Sequence, residues 1–121
     1  MYALDTNILI YHAAGDQKVA DFFSQHRYEI FYVPSIVVVE FLSYPLITPG
    51  AVTRFQNFIQ QTILINLDYA IAERAAQMRR DNKIPLADAI VAASALMTSS
   101  ALVTRNIRDF KKVKGLTIVS P

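Results

Sequence analysis

Short apolar runs alternate with stretches of helical periodicity along the whole chain. Tyr2-Ala3-Leu4 is the first run; it stops at Asp5, and Asp5-Thr6-Asn7 forms a group of helix-capping residues ahead of Ile8-Leu9-Ile10. The helix they open extends to about His12 and is broken at Gly15-Asp16. Val19, Ala20, Phe22 and Phe23 supply the face of a second helix reaching Gln25. Ile30 to Val33, aromatic and β-branched, predicts a second strand. Pro34-Ser35 ends it, with Ser35 as the expected N-cap of a helix over Ile36 to Tyr44. Pro45 and Pro49-Gly50 stop and restart the chain before Val52, Phe55, Phe58 and Ile59 recur at helical spacing.

The alternation continues in the second half. Ile63 to Ile65 predicts a third strand, and Asp68 caps a helix whose expected apolar face is Ala72, Ala75, Ala76 and Met78, ending near Asn82. Pro85-Leu86 opens a further helix with Asp88 in its first turn. This helix is apolar nearly all round, as one buried between a sheet and other helices must be. Ser99-Ser100 ends it, Ala101 to Val103 predicts a fourth strand, and Leu116 to Val119 a fifth. Strands alternating with helices predict one α/β domain over residues 1–121, with a mainly parallel five-stranded sheet flanked by helices. There is no internal repeat, low-complexity segment or linker.

Composition narrows the chemistry. The absence of Cys excludes disulfides, thiol catalysis and thiolate zinc sites. The Walker phosphate loop, the G-x-S-x-G elbow and the H-E-x-x-H zinc motif are all missing, and His12 and His26 stand alone. Hydrophobic residues make up 53% of the chain, a surplus that favours self-association as a homodimer. No export signal is expected, because Asp5 interrupts the first apolar run, and no apolar stretch has membrane-spanning length. A cytoplasmic protein with no membrane contact is therefore expected. The net charge is only +2, but Arg105, Arg108, Lys111, Lys112 and Lys114 form one basic group, and Arg79, Arg80 and Lys83 another. A phosphate backbone and a solvated surface account for such groups equally well.

Four carboxylates change the picture. Asp5 ends the first strand, Glu40 lies just over a turn into the helix after the second, Asp88 begins the helix before the fourth, and Asp109 follows the fourth. With the first strand central and the second and fourth beside it, those positions bound one crevice at the topological switch point of a parallel sheet. Asp5 and Asp88 taken singly are equally well explained as helix-capping charges, and Asp109 as a turn residue. Glu40 lies between Ile36-Val37-Val38-Val39 and Phe41-Leu42, and a carboxylate buried there would cost several kcal/mol unless paired or metal-bound. Two unit charges about 4 Å apart repel by roughly 4 kcal/mol at an effective dielectric of about 20. An uncompensated acid cluster therefore calls for a divalent cation. Oxygen-only ligands select Mg²⁺ or Mn²⁺, ions that promote attack of water on a phosphodiester.

The motifs carrying these acids have a family likeness. Leu4-Asp5-Thr6-Asn7, Ser35 to Glu40, Pro85 to Ala93 and Thr104 to Phe110 occur in the order and spacing of the PIN domain. The chain resembles that family over essentially its whole length, in particular the VapC-like ribonuclease toxins of toxin–antitoxin pairs. The resemblance implies a metal-dependent endoribonuclease in which Asp5, Glu40 and Asp88 are the main acidic ligands. Asp109 or Asn106 fills the fourth position, with Asp109 preferred. Thr104, Asn7 and Thr6 are polar groups placed to orient water or a ligand, although for Thr6 plain N-cap hydrogen bonding is the simpler account. Arg105, Arg108, Lys111 and Lys112 would hold the RNA backbone. The resemblance also implies a small VapB-like antitoxin, and the expected products carry 5′-phosphate and 3′-hydroxyl ends.

Other readings stay open at this level. A PIN nuclease with a housekeeping role in RNA processing carries the same motifs. A haloacid-dehalogenase-like phosphatase would use Asp5 as nucleophile, but that chemistry wants a second acid two residues on, where this chain has Asn7. A non-catalytic module would hold metal or RNA without cleaving it.

Overall fold

The computed structural model describes all residues, Met1–Pro121. Five short strands, β1 (Tyr2–Leu4), β2 (Phe31–Pro34), β3 (Ile63–Ile65), β4 (Ala101–Val103) and β5 (Ile118–Val119), form one sheet in the order β3-β2-β1-β4-β5. Every pairing is parallel. The chain lays β1, β2 and β3 outward to one side, then crosses to build β4 and β5 on the other. The reversal falls between β1 and β4, where Leu4 pairs with Val103. Ala3, Leu4, Val33, Leu102 and Val103 have no exposed surface, as expected for strands covered on both faces.

Seven helices surround the sheet: α1 (Thr6–Ala13), α2 (Gln17–Gln25), α3 (Ser35–Leu42), α4 (Pro49–Ile59), α5 (Tyr69–Asp81), α6 (Leu86–Met97) and α7 (Ile107–Phe110). The apolar α6 is the central one, with every residue from Ala89 to Ala95 buried. Its buried Ser94 is satisfied by donating to the Ile90 carbonyl at 2.7 Å. The helix closes in a Schellman turn: Ser99 adopts φ 53°, its N–H reaches the Leu96 carbonyl and that of Ser100 reaches Ala95. No helix is long and apolar enough to cross a membrane.

Three local expectations change. Pro34, not Ser35, occupies the N-cap position of α3, and the Ser35 hydroxyl instead accepts from the Leu67 N–H at 3.3 Å. The buried face of α5 is Ile71, Ala75 and Met78, so Ala72 and Ala76 turn outward; the larger Ile71 sets the register. Helix α3 is only half covered. Val37 and Phe41 are buried, Phe41 stacking on Phe55 of α4 at 4.2 Å between ring centroids, while Val39 is 59% exposed.

Candidate active site

Asp5 stands where β1 ends and α1 begins. Its backbone N–H extends the sheet ladder to the Val103 carbonyl at 3.1 Å, which sets Asp5 beside the residue following β4. That residue, Thr104, is fully buried and donates its hydroxyl to Asp5 Oδ2 at 2.7 Å. The other carboxylate oxygen, Oδ1, accepts from the Thr6 N–H at 2.8 Å. Burial pushes the Asp5 carboxyl above its usual range, the two hydrogen bonds oppose that, and the charge of Glu40 adds to it.

The Thr104 hydroxyl is the junction of the site. Besides donating to Asp5 it accepts from the Asn106 N–H at 3.0 Å and the Asn7 side-chain amide at 3.3 Å. One side chain thus ties the end of β1, the first turn of α1 and the loop leaving β4. Asn106 in turn donates its side-chain amide to Asp109 Oδ2 at 3.1 Å. The two candidates for the fourth position are therefore hydrogen-bonded to each other.

Glu40 differs from expectation. It is an exposed residue on the uncovered side of α3, not a carboxylate lost in the core. No arginine pairs with it; Thr6 donates its hydroxyl to Glu40 Oε1 at 2.6 Å. The simpler account of Thr6 is hydrogen bonding at the helix start; its N–H does bond Asp5, and its hydroxyl also reaches Glu40 across 34 residues of sequence. Asp88 occupies the first turn of α6, and its carboxyl is pushed up to about 6, first by burial and then by the charges of Asp5, Asp109 and Glu40. All four predicted acids therefore share one electrostatic neighbourhood. Neither ion pair of the protein, Met1–Glu29 or Asp16–Arg105, involves any of them.

These acids do not form a closed cage: no three of them converge on a common coordination point. A donor set of carboxylate, hydroxyl and amide oxygens fits a hard cation such as Mg²⁺, which keeps several waters and takes only one or two protein carboxylates directly. Asp5 and Asp88, each raised by burial and by the neighbouring acids, are the two that could hold it. Each Asp5 oxygen already accepts one hydrogen bond and retains a further lone pair.

The basic residues differ in how far the protein itself engages them. The Arg105 guanidinium is engaged on every side. It binds Asp16 through two 2.8 Å hydrogen bonds, reaches the Pro121 carbonyl at 2.9 Å and lies 4.4 Å above the Tyr11 ring. Lys112 donates to the Lys83 carbonyl at 3.2 Å. Arg108 and Lys111 are exposed. The Asp16–Arg105 pair, joining residues 89 apart, has no local signature and was not visible in the sequence.

Solved structures share this architecture. VapBC2 from Rickettsia felis bound to a promoter DNA fragment matches with a TM-score of 0.86 at 20% identity, covering 99% of this chain and 98% of that one. A DNA-bound VapBC from Salmonella typhimurium gives 0.85 at 20% identity, over 98% and 96%. A toxin–antitoxin complex from Klebsiella pneumoniae gives 0.80 at 27% identity, over 98% and 96%. No curated protein sequence matches. A PIN-domain model matches residues 2–116, nearly the whole chain, and the chain therefore belongs to the PIN-domain family.

Proposed function

We propose that this protein is a Mg²⁺- or Mn²⁺-dependent endoribonuclease and the toxin of a VapBC-type toxin–antitoxin pair. The observation that carries the reading is the group of acids at the switch point that no ion pair compensates, with the Asp88 carboxyl pushed up to about 6 by burial first and then by the charges of Asp5, Asp109 and Glu40. When bound, the ion would neutralise the scissile phosphate and lower the pKa of an attacking water. Asp5 and Asp88 would hold it. Thr104 and the Thr6 N–H keep the Asp5 carboxylate in one orientation, and the Thr6 hydroxyl does the same for Glu40. Glu40 and the Asn106–Asp109 pair would accept from and orient the attacking water. Because water is the nucleophile, the ribose 2′-hydroxyl is not needed and the products carry 5′-phosphate and 3′-hydroxyl ends.

The toxin assignment rests on the neighbours, several of which are toxin–antitoxin complexes. A cognate VapB-like antitoxin would hold this chain inactive in the cytoplasm, and an arginine from it would pair well with the clustered carboxylates. The exposed apolar side chains Val39 (59%), Leu46 (79%) and Tyr69 (80%) favour a homodimer, since a monomer would leave them in water. Incubation of the purified protein with a mixed RNA pool, with and without Mg²⁺ or Mn²⁺, tests the chemistry. Cleavage should need the metal and vanish in Asp5→Ala; an Asp5→Ala protein cutting at the wild-type rate would overturn the mechanism.

A further inference from the structure

A groove of about 1080 Å³ runs between α5 and the segment leading into α6, and Asp109 is its only acidic lining residue. Its apolar lining includes Ala72 and Ala76 from the outward face of α5, and Leu86, which is 59% exposed. Arg79, Arg80 and Lys83 also line it, and none of them is in an ion pair. Charge at a helix C-terminus accounts for Arg79 and Arg80 being in the last turn of α5. It does not account for Lys83, which lies beyond the helix, or for all three sharing one groove with Asp109.

This basic group is also held in place. Arg79 Nε donates to the Ile84 carbonyl at 3.3 Å, which anchors the side chain and leaves its terminal amino groups free. Lys112 pins the Lys83 carbonyl from the other side at 3.2 Å. Of the cations expected on the nucleic acid, Arg105 is clasped by Asp16 and Lys112 gives one of its three N–H groups to Lys83, whereas the second basic group lines the groove. Asp109 is the junction: it lines the groove and accepts from Asn106, whose N–H bonds the Thr104 hydroxyl that holds Asp5.

We infer that the α5–α6 groove is the track for single-stranded RNA entering the acidic crevice, with Arg80 and Lys83 holding backbone phosphates and bases lying on the Ala72, Ala76 and Leu86 surface. The inference rests on the nuclease reading above and adds the path of the strand. A lining that is both basic and apolar suits a single strand, whose bases are unpaired and whose phosphates face outward.

The test separates the two readings. Binding of a labelled single-stranded RNA is followed by fluorescence anisotropy in EDTA across a salt series, and cleavage is followed separately in Mn²⁺. Arg80→Ala/Lys83→Ala should bind roughly tenfold more weakly at about 0.1 M salt, with a log–log salt slope shallower by about 1.4, the loss of two phosphate contacts. Arg74→Ala, an exposed cation of α5 outside the groove, controls for general charge. A double variant with wild-type affinity and slope, or an Arg74→Ala protein losing as much, overturns the track. Absence of metal-dependent cleavage in the wild type would instead overturn the nuclease reading, and the binding data would still decide the groove.

Discussion

Thr104 donates to Asp5 Oδ2 across 2.7 Å, a contact between residues 99 apart in sequence that lie side by side because β1 and β4 are neighbours in the sheet. Replacing Thr104 by Val keeps the volume and removes the only side-chain donor to a buried carboxylate. It also takes away the acceptor used by Asn106 and Asn7. Hydrogen bonds to charged groups contribute about 1.5–3 kcal/mol, so urea melts of Thr104→Val should show a loss of that order. Cleavage should fall about 10- to 100-fold, as for other residues that orient a metal ligand, and Thr104→Ser should recover most of both. A Val variant as active as wild type would remove Thr104 from the site.

Arg105 gives a prediction opposite to the one its sequence position suggests. Its guanidinium holds the Asp16 carboxyl down to about 2, with the Arg105 hydrogen bonds the largest cause. An acid depressed on folding adds stability that is complete above its unfolded value of about 3.9 and disappears as pH falls through the folded one. Arg105→Ala should therefore lower the melting temperature at pH 6, and the gap to wild type should close between about pH 4 and pH 2. The salt slope of RNA binding should not move. A shallower slope with an unchanged melting profile would return Arg105 to the RNA.

Ser99 offers a stabilising change. Its φ of 53° places a side chain in the left-handed region at the end of α6, where glycine carries no Cβ penalty. Relief of about 1 kcal/mol or more is partly offset by the greater freedom glycine gives the unfolded chain, leaving a net gain of about 0.5 kcal/mol for Ser99→Gly. Denaturant midpoints would read it directly, and a lowered midpoint would mean the Ser99 side chain has a role of its own.

Much of this was legible because strands and helices alternate with clean punctuation. Ile63–Ile65 and Ala101–Val103 have the predicted bounds, and Asp68 caps α5 by accepting from the Ile71 N–H at 2.9 Å. Asp5 was legible for the same reason, since a capping acid directly after a strand has one place to be in a parallel sheet. Glu40 was found by a faulty premise. Its apolar neighbours suggested burial, but α3 has more apolar surface than the core covers, and only the fold tells which side is left outside. The Asp16–Arg105 clasp and the outward turn of Ala72 and Ala76 depend on tertiary register, which local pattern does not carry.

Metal should stabilise the fold through the acids. A ligand at about tenfold excess over its Kd contributes about 1.4 kcal/mol, or several degrees in a domain of this size. Thermal unfolding with Mn²⁺ should therefore show an upward shift against EDTA, and Asp5→Ala should abolish it. Wild-type protein indifferent to both Mg²⁺ and Mn²⁺ would contradict a metal site here.

Asp88 separates stability from function most sharply. Its carboxyl, pushed up to about 6 by burial first and then by Asp5, Asp109 and Glu40, ionises at a cost that no neighbouring cation offsets. An acid raised on folding works against stability as pH rises: between the unfolded value of about 3.9 and the folded one near 6 the native state holds the extra proton, and the contribution is lost across that window. In EDTA, Asp88→Asn should abolish this part of the decline and melt above wild type at pH 7, by an amount that solvent around the half-buried side chain keeps modest. With Mn²⁺ the order should reverse, because the variant forgoes a ligand and the stabilisation that comes with it. Cleavage should drop about 100-fold or more, since electrostatic stabilisation at the reacting phosphate is the largest single contribution such a site makes. The crossover is the diagnostic. A first-turn acid serving only the α6 dipole would lower the melting temperature when neutralised, with metal or without, and leave cleavage intact.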